Sequence, residues 1–327
     1  MSVAYYLFLE ESTPLYRFEK WSSLHWHPYG KNISSQRASE LFSTITEDQK
    51  QRFFALQGKR RCENEFWAYD TTTLSSYSEK LKQVQYGFNK EHERLPQLNL
   101  TLVFGEESNL PFSYRKLAGN NPDSKTVRRL LDELNILGYS KVKLVMDRGF
   151  YSEDNINDFF RNHVKFLISV KMSLSVIRKE LDPIYDSIQD FENYNAKYGL
   201  YCKTVRTVWH YSQERPYIGD TLKEDRRLYI HYYYNIEKAA EDKMAFDRRL
   251  NELKQELETN NRVPEHEKLY LKYFTCTTTP KRGTKVTVND YEIIKAKRYF
   301  GFFSLITNEM MDAVTALEIY RNKYVVE

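Results

Sequence analysis

The chain has 327 residues, 41% of them hydrophobic and 29% charged, with a formal net charge of +4. That length exceeds the usual single domain and that balance excludes long disordered tracts, so a large packed core with an inserted or appended module is expected. No apolar run reaches the roughly 18 residues a membrane helix needs, the N-terminus lacks the basic flank of a signal peptide, and Cys62, Cys202 and Cys276 are too scattered for a disulfide framework or a paired-cysteine zinc site, which together point to a cytoplasmic protein with reduced thiols.

Residues 1–34 show no clear periodicity. His25-Trp26-His27 alternates, but no third ligand lies nearby, and a buried aromatic edge is expected rather than a metal site. Ser34 and Ser35 are capping residues before a helical pattern that continues toward Phe53 and Phe54, so residues 1–61 are expected to form a helical N-terminal region. Short apolar strands follow at 66–69, ending at Asp70, and at 84–88, 98–104 and 111–114, separated by polar or glycine-bearing turns. Ser124 can cap a helix through Leu137, in which Val127, Leu130, Leu131 and Leu134 recur at helical spacing and Gly138 supplies the stop. The apolar strand 143–146 runs straight into Asp147, Ser152 opens a helix to about Asn162, and 164–170 is a further apolar strand. Antiparallel strands followed by helix, strand, helix, strand make a mixed α/β layer order, with a parallel strand expected after each helix. Residues 62–172 are thus the first part of a core.

From 173 to 295 the pattern changes to aromatic strands, among them 205–211 and 228–234, interrupted by a charged helix at 236–258. Phe246, Leu250, Leu253 and Leu257 share one side of that helix, but the regular stretch is too short for a coiled coil, and packing on the strands is expected. The core pattern resumes at 296 with a strand at 298–306 and a helix from about Met310, so 173–295 reads as a β-rich insertion and 296–327 as a return to the core. Between Lys272 and Phe300, Lys272, Lys281, Arg282, Lys285, Lys295, Lys297 and Arg298 stand against Asp290 and Glu292, a local net charge of +5. Such a tract could follow a phosphate backbone; a solvated surface with a basic loop is the alternative.

Asp70 and Asp147 each end an apolar strand, and Glu327 lies on the last helix. Strand ends of an open α/β sheet are where polar groups converge on ligands, and three carboxylates converging there would suit two Mg²⁺ ions about 4 Å apart, as phosphoryl transfer needs. By spacing alone, an aspartate after a strand is commonly a turn or cap residue.

The segments Tyr69-Asp70-Thr71-Thr72, Leu144-Val145-Met146-Asp147-Arg148-Gly149-Phe150-Tyr151-Ser152 and Tyr320-Arg321-Asn322-Lys323-Tyr324-Val325-Val326-Glu327 resemble, in order, the three catalytic blocks of bacterial insertion-element transposases of the insertion-sequence-four superfamily. The likeness extends through Ile33-Ser34-Ser35-Gln36-Arg37, Leu117-Ala118-Gly119-Asn120 and Phe303-Ser304-Leu305-Ile306-Thr307-Asn308. It implies a ribonuclease H-like mixed sheet with flanking helices and a β-rich insertion before the last catalytic helix. It also implies a cut-and-paste DNA transposase in which Asp70, Asp147 and Glu327 hold two Mg²⁺ ions, with Mn²⁺ as an alternative. The implied partner is DNA, as transposon end and as target, bound by a homodimer.

That family's last helix carries a Tyr seven residues and an Arg four residues before the Glu, with a Lys beyond it. Tyr320 and Lys323 hold the first two places here, which makes them, with Arg148, candidate DNA contacts. Lysine keeps the charge of arginine without its planar bidentate fork. In the insertion, Lys281, Arg282 and Lys285 are candidate phosphate contacts. Relatives use an aromatic side chain of this insertion to stack a displaced base, and Trp209, the only tryptophan between Ser173 and Val286, is the candidate for that role. The sequence stops at Glu327, before the family's last lysine, so a truncated product with the fold but little activity is expected; the alternative function is a non-catalytic DNA-binding remnant that recognises element ends.

Overall fold

A computed structural model describes residues 1–10, 13–61, 64–78, 81–87, 95–139, 141–215, 217–279 and 283–323. The chain divides into two compact units, Met1–Arg60 and Arg61–Glu327.

The first unit is helical: α1 (Ser2–Leu9), α2 (Phe18–Ser22), α3 (Ser35–Thr44) and α4 (Glu47–Gly58). Tyr6, Phe18 and Trp21 make its small core, with the Tyr6 and Trp21 rings edge-on at 5.2 Å. This aromatic cluster, rather than an apolar period, organises the first 34 residues. Of the His-Trp-His run only His27 is buried, while Trp26 is exposed and His25 stacks on Trp21. The Ser34 side chain caps α3 at the Arg37 amide. The single helical pattern expected toward Phe54 is broken at Ile45, because Thr46 and Gln49 form a capping box that starts α4 anew.

The second unit begins with an antiparallel meander of β1 (Phe66–Ser75), β2 (Gln97–Gly105) and β3 (Pro111–Ala118), followed by α5 (Val127–Ile136), β4 (Lys143–Met146), α6 (Glu153–Arg161) and β5 (Lys165–Val170). Next come α7 (Ser175–Leu181), β6 (Tyr194–Asn195), β7 (Leu200–Arg215), β8 (Asp220–Tyr234), α8 (Ile236–Glu258) and α9 (Glu267–Tyr273). β9 (Phe274–Thr279), β10 (Gly283–Val288), α10 (Asp290–Lys297), β11 (Phe302–Thr307) and α11 (Ala313–Asn322) complete the described elements. Nine strands form one mixed sheet in the order β3-β2-β1-β4-β5-β11-β8-β7-β6, and β9 and β10 pair separately. Within the large sheet β1, β4 and β5 run parallel, each reached through a helix, and the other neighbours are antiparallel.

The central strands are apolar on both sides because both sheet faces are covered. Trp67, Tyr69, Leu144, Met146, Phe166 and Ile168 pack with Leu130, Leu131 and Leu134 of α5 and Ile156 and Phe159 of α6. Phe66, Ala68, Val145, Leu167 and Leu305 pack on the other face with Ala313, Ala316 and Leu317 of α11. This odd-even division follows from the two-residue period of a strand.

Several expectations are corrected. In the 84–88 segment only Gln85 pairs, in an isolated bridge to Gln97, and Phe88 lies outside the described residues. The strand expected from Arg298 begins at Phe302, because α10 runs to Lys297 and Gly301, at φ +77°, turns the chain. A side chain at Gly301 would also collide with Ala239, its Cβ lying 2.5 Å from that of Ala239. α8 packs its Leu253 and Leu257 against Tyr270, Tyr273 and Phe274 of α9 and β9, rather than on the large sheet's aromatic strands. The β7–β8 hairpin joins the core sheet edge to edge through β11, so the segment between β5 and β11 extends that sheet.

Candidate active site

The register of β1 on β4 runs from Phe66↔Lys143 to Tyr69↔Met146, and the next residue on each strand is Asp70 and Asp147. Phe66 and Ala68 on one strand and Val145 on the other face α11, so by alternation both aspartates project from that same face. β4 ends there, and Asp147 leads into a 3-10 turn, Arg148–Phe150. β1 does not stop at Asp70 as expected, because β2 continues to pair with it through Ser75. Asp70 Oδ1 accepts a hydrogen bond from its neighbour's amide, Thr71 N, at 2.8 Å.

The residues after Asp147 each have a physical reason. Arg148 is exposed; a Cβ on Gly149 would come within 3.0 Å of the Asp123 carboxylate; Phe150 is buried against Tyr69, ring centres 4.8 Å apart. Ser152 caps α6 at the Asn155 amide. The Asn155 side chain then donates to the Phe150 carbonyl at 2.7 Å and the Ser124 carbonyl at 2.8 Å, tying this loop to the one before α5. Asn155 was not singled out from sequence; its only signal there is a polar residue on the inner side of an amphipathic helix.

α11 starts at an Asp312 cap and lays Ala313, Ala316, Leu317, Tyr320 and Lys323 along one stripe. The first three are buried on the sheet and the last two reach Asp147. The Tyr320 hydroxyl donates to Asp147 Oδ1 at 2.5 Å, and Lys323 Nζ lies 3.0 Å from the same oxygen.

A family profile described as transposase DDE domain matches residues 62–327. The chain belongs to the transposase DDE domain family. The comparison with curated proteins found no match.

Within this transposase domain the structure brings Asp70, Asp147, Tyr320 and Lys323 together. Glu327, Lys281, Arg282 and Cys62 lie outside the described residues. Among the described residues no three His, Cys, Asp or Glu side chains form a metal-holding group; the aspartate pair stands as two. Lys323 is buried against Asp147, so as it lies it is not presented to a phosphate: an ammonium taken out of water needs a carboxylate beside it. Lys285 is exposed on β10.

One expectation for the insertion is corrected. Trp209 is 8% exposed, packs in the large core and donates from its indole nitrogen to Asn157 at 2.9 Å, so its ring is not available to stack a base. Four of the tract's cations are paired with acids, two of which, Asp247 and Asp182, lie far off in sequence. Lys297 pairs with Asp247 at 2.5 Å, Arg298 with Asp182 at 3.1 Å, and Lys272 and Lys295 both approach Glu292, at 4.0 and 3.8 Å.

Glu106, just after β2, receives the Asn322 side-chain amide at 2.6 Å. Burial pushes its carboxyl up from the ordinary 4.5 to about 7, with Glu107 and Glu65 adding to the rise and the Asn322 hydrogen bond opposing it. Because the folded pKa lies above the unfolded one, the contribution to stability is present below about pH 4.5 and is lost as pH rises through 7. Glu106→Gln is therefore expected to raise the melting temperature at pH 8 and leave it nearly unchanged at pH 5. Thermal unfolding at both pH values checks this, and equal shifts at the two would show that ionisation of Glu106 is not the cause.

Proposed function

We propose that Asp70 and Asp147 are the metal-holding half of a phosphoryl-transfer centre that cleaves and joins DNA at the ends of an insertion element. The observation that carries this reading is their register: consecutive with the last β1–β4 pair, on one sheet face, next to the helix that bears Tyr320 and Lys323. The surrounding core is ribonuclease H-like on this reading, supported by the three-stranded meander followed by two parallel strands, each reached through a helix.

Paired carboxylates at strand ends are hard oxygen donors suited to Mg²⁺ or Mn²⁺. A divalent ion held there supplies Lewis-acid polarisation of a phosphate and a more acidic attacking water or 3′-hydroxyl. The chain's own groups do the rest. The Thr71 amide holds one oxygen of Asp70, and Tyr320 orients the Asp147 carboxylate. Exposed Arg148 stands beside Asp147 to grip a phosphate in two-pronged fashion. Exposed Lys285 follows the DNA backbone, a role the sequence also gives to Lys281 and Arg282. Glu327, four residues after Lys323 in the sequence, is the third carboxylate on this reading. Membership of the insertion-sequence-four group, a homodimer on DNA and action in the cytoplasm belong to the same proposal.

The test uses the full chain and duplex DNA carrying the terminal repeats that flank its own coding region. Mg²⁺-dependent nicking at the repeat end, stopped by EDTA, is the expected result. Salt-sensitive binding without nicking would select a non-catalytic end-binding protein, and the absence of salt-sensitive binding would remove the DNA role altogether.

A further inference from the structure

α11 meets the sheet through Ala313, Ala316 and Leu317, a surface of mostly small side chains that sets how near the helix lies more firmly than how far it is turned about its axis. The turn matters, because a modest rotation carries the Tyr320 hydroxyl out of its 2.5 Å contact with Asp147 Oδ1. A second side of α11 is held by the loop between β6 and β7. Those strands pair with Asn195 opposite Leu200, which leaves Ala196-Lys197-Tyr198-Gly199 as a tight loop in which Gly199 takes φ +63° and the Tyr198 amide donates to Asn195 Oδ1 at 3.2 Å. The half-buried Tyr198 ring packs against the cluster that includes Ala313, Ala316 and Leu317. Its hydroxyl donates to Glu318 Oε1 at 2.8 Å, and the Arg321 guanidinium lies over its face, 4.7 Å from the ring centre. Lys197 Nζ reaches the same Glu318 oxygen at 2.7 Å, but that pair is exposed, at 67% and 41%, and contributes little by itself. Glu318 and Arg321 stand three residues apart, on a side of α11 other than the one that carries Tyr320 and Lys323.

We propose that Tyr198 is a positioning residue for strand cleavage: by holding Glu318 and Arg321 it sets the rotation of α11 that brings Tyr320 to Asp147. The β6–β7 loop thus governs the geometry of the centre without touching the reacting atoms. This rests on the reading of the centre given above. A reacting group must be held to a fraction of an ångström, and supporting contacts around it supply that precision. Tyr198 suits the task because one rigid side chain joins packing, a hydrogen bond to a carboxylate and a stacked guanidinium, and so grips the helix at two residues one turn apart.

The experiment measures single-turnover, Mg²⁺-dependent nicking of the terminal-repeat duplex, and separately the affinity for that duplex without metal, in the unsubstituted full chain, Tyr198→Leu and Tyr198→Phe. Leucine keeps an apolar side chain and loses both attachments; phenylalanine keeps the ring under Arg321. Tyr198→Leu is expected to nick about tenfold more slowly with its affinity for DNA within about twofold, and Tyr198→Phe to recover most of the rate. Tyr198→Leu that nicks at the unsubstituted rate overturns the proposal, as does an affinity for DNA that falls in step with the rate, since Tyr198 would then be a DNA contact. If circular dichroism shows that Tyr198→Leu does not fold, Glu318→Ala takes its place: it removes the hydroxyl's partner with a residue that favours helix, and is expected to slow nicking about threefold. An unchanged rate in Glu318→Ala then overturns the proposal. An unsubstituted chain that does not nick overturns the reading of the centre and this proposal together, whereas normal nicking by the variants overturns this proposal alone.

Discussion

Asp147→Asn is expected to lower Mg²⁺-dependent nicking of element-end DNA by about 10³-fold or more, because a metal-held phosphate accounts for several kcal/mol of transition-state stabilisation and each 1.36 kcal/mol is roughly tenfold in rate. The substitution keeps the shape of the side chain and removes its charge. An asparagine oxygen can still accept the Tyr320 hydroxyl, so α11 keeps that tie to this strand end. Lys323 loses its carboxylate, but the pair is a third open to water on the aspartate side, which limits the cost to the fold. Single-turnover nicking, with circular dichroism to confirm that the sheet is intact, separates chemistry from stability. A variant within about tenfold of the unsubstituted rate would remove Asp147 from the metal-holding set. Asp70→Asn is expected to have a similar effect, and the double substitution to be little worse than either, since both residues serve one centre.

The second large effect concerns acid. His231 lies on β8 between β7 and β11, opposite Thr204 and Leu305, and is fully buried. Its Nδ1 is 2.9 Å from the Thr204 hydroxyl, and among the described residues its Nε2 has no hydrogen-bond partner. Burial lowers its pKa from 6.5 to about 4, against a small opposing pull from Asp312. The unfolded chain therefore binds a proton that the folded one refuses, so the stability His231 contributes is whole above pH 6.5 and is lost as pH falls toward 4. That difference corresponds to about 3 kcal/mol, a large share of a typical domain's total. Urea unfolding at a series of pH values is expected to show the loss, and His231→Asn, which can still hydrogen-bond Thr204 but does not titrate, to flatten it. Equal pH slopes in the two proteins would mean that other groups carry the acid sensitivity. Glu106 works in the opposite direction, near neutrality, so the two effects can be measured separately.

What the sequence determined by itself was local. Apolar runs bounded by polar residues were enough to place Asp147 at the end of β4, since a strand needs only an apolar surface on each face and a polar residue where burial ends; Asp70 was read in the same way, but pairing with β2 carries β1 past it. Capping residues and stop signals did the same for the α3 and α6 starts and for the end of α5, where Gly138 takes φ +74°. Position 236 to 258 was legible as a helix for the same reason, and the blocks resembling a known family pointed to a transposase, the family whose DDE domain profile matches residues 62–327.

Tertiary structure alone decided the rest. Trp209 reads the same in sequence whether it faces a base or Asn157; only the crossing of α6 over β7 buries it. The charge of the 272–298 tract could not be judged without knowing that Asp182 and Asp247 fold beside it. Most tellingly, the helical spacing of Tyr320 and Lys323 shows that they share a face but not what that face meets. Docking α11 onto the sheet by Ala313, Ala316 and Leu317 turns the stripe toward Asp147, and a desolvated ammonium takes the nearest carboxylate. Periodicity encodes which residues lie together on an element; which elements meet, and hence which charges cancel, depends on long-range packing that no local pattern contains.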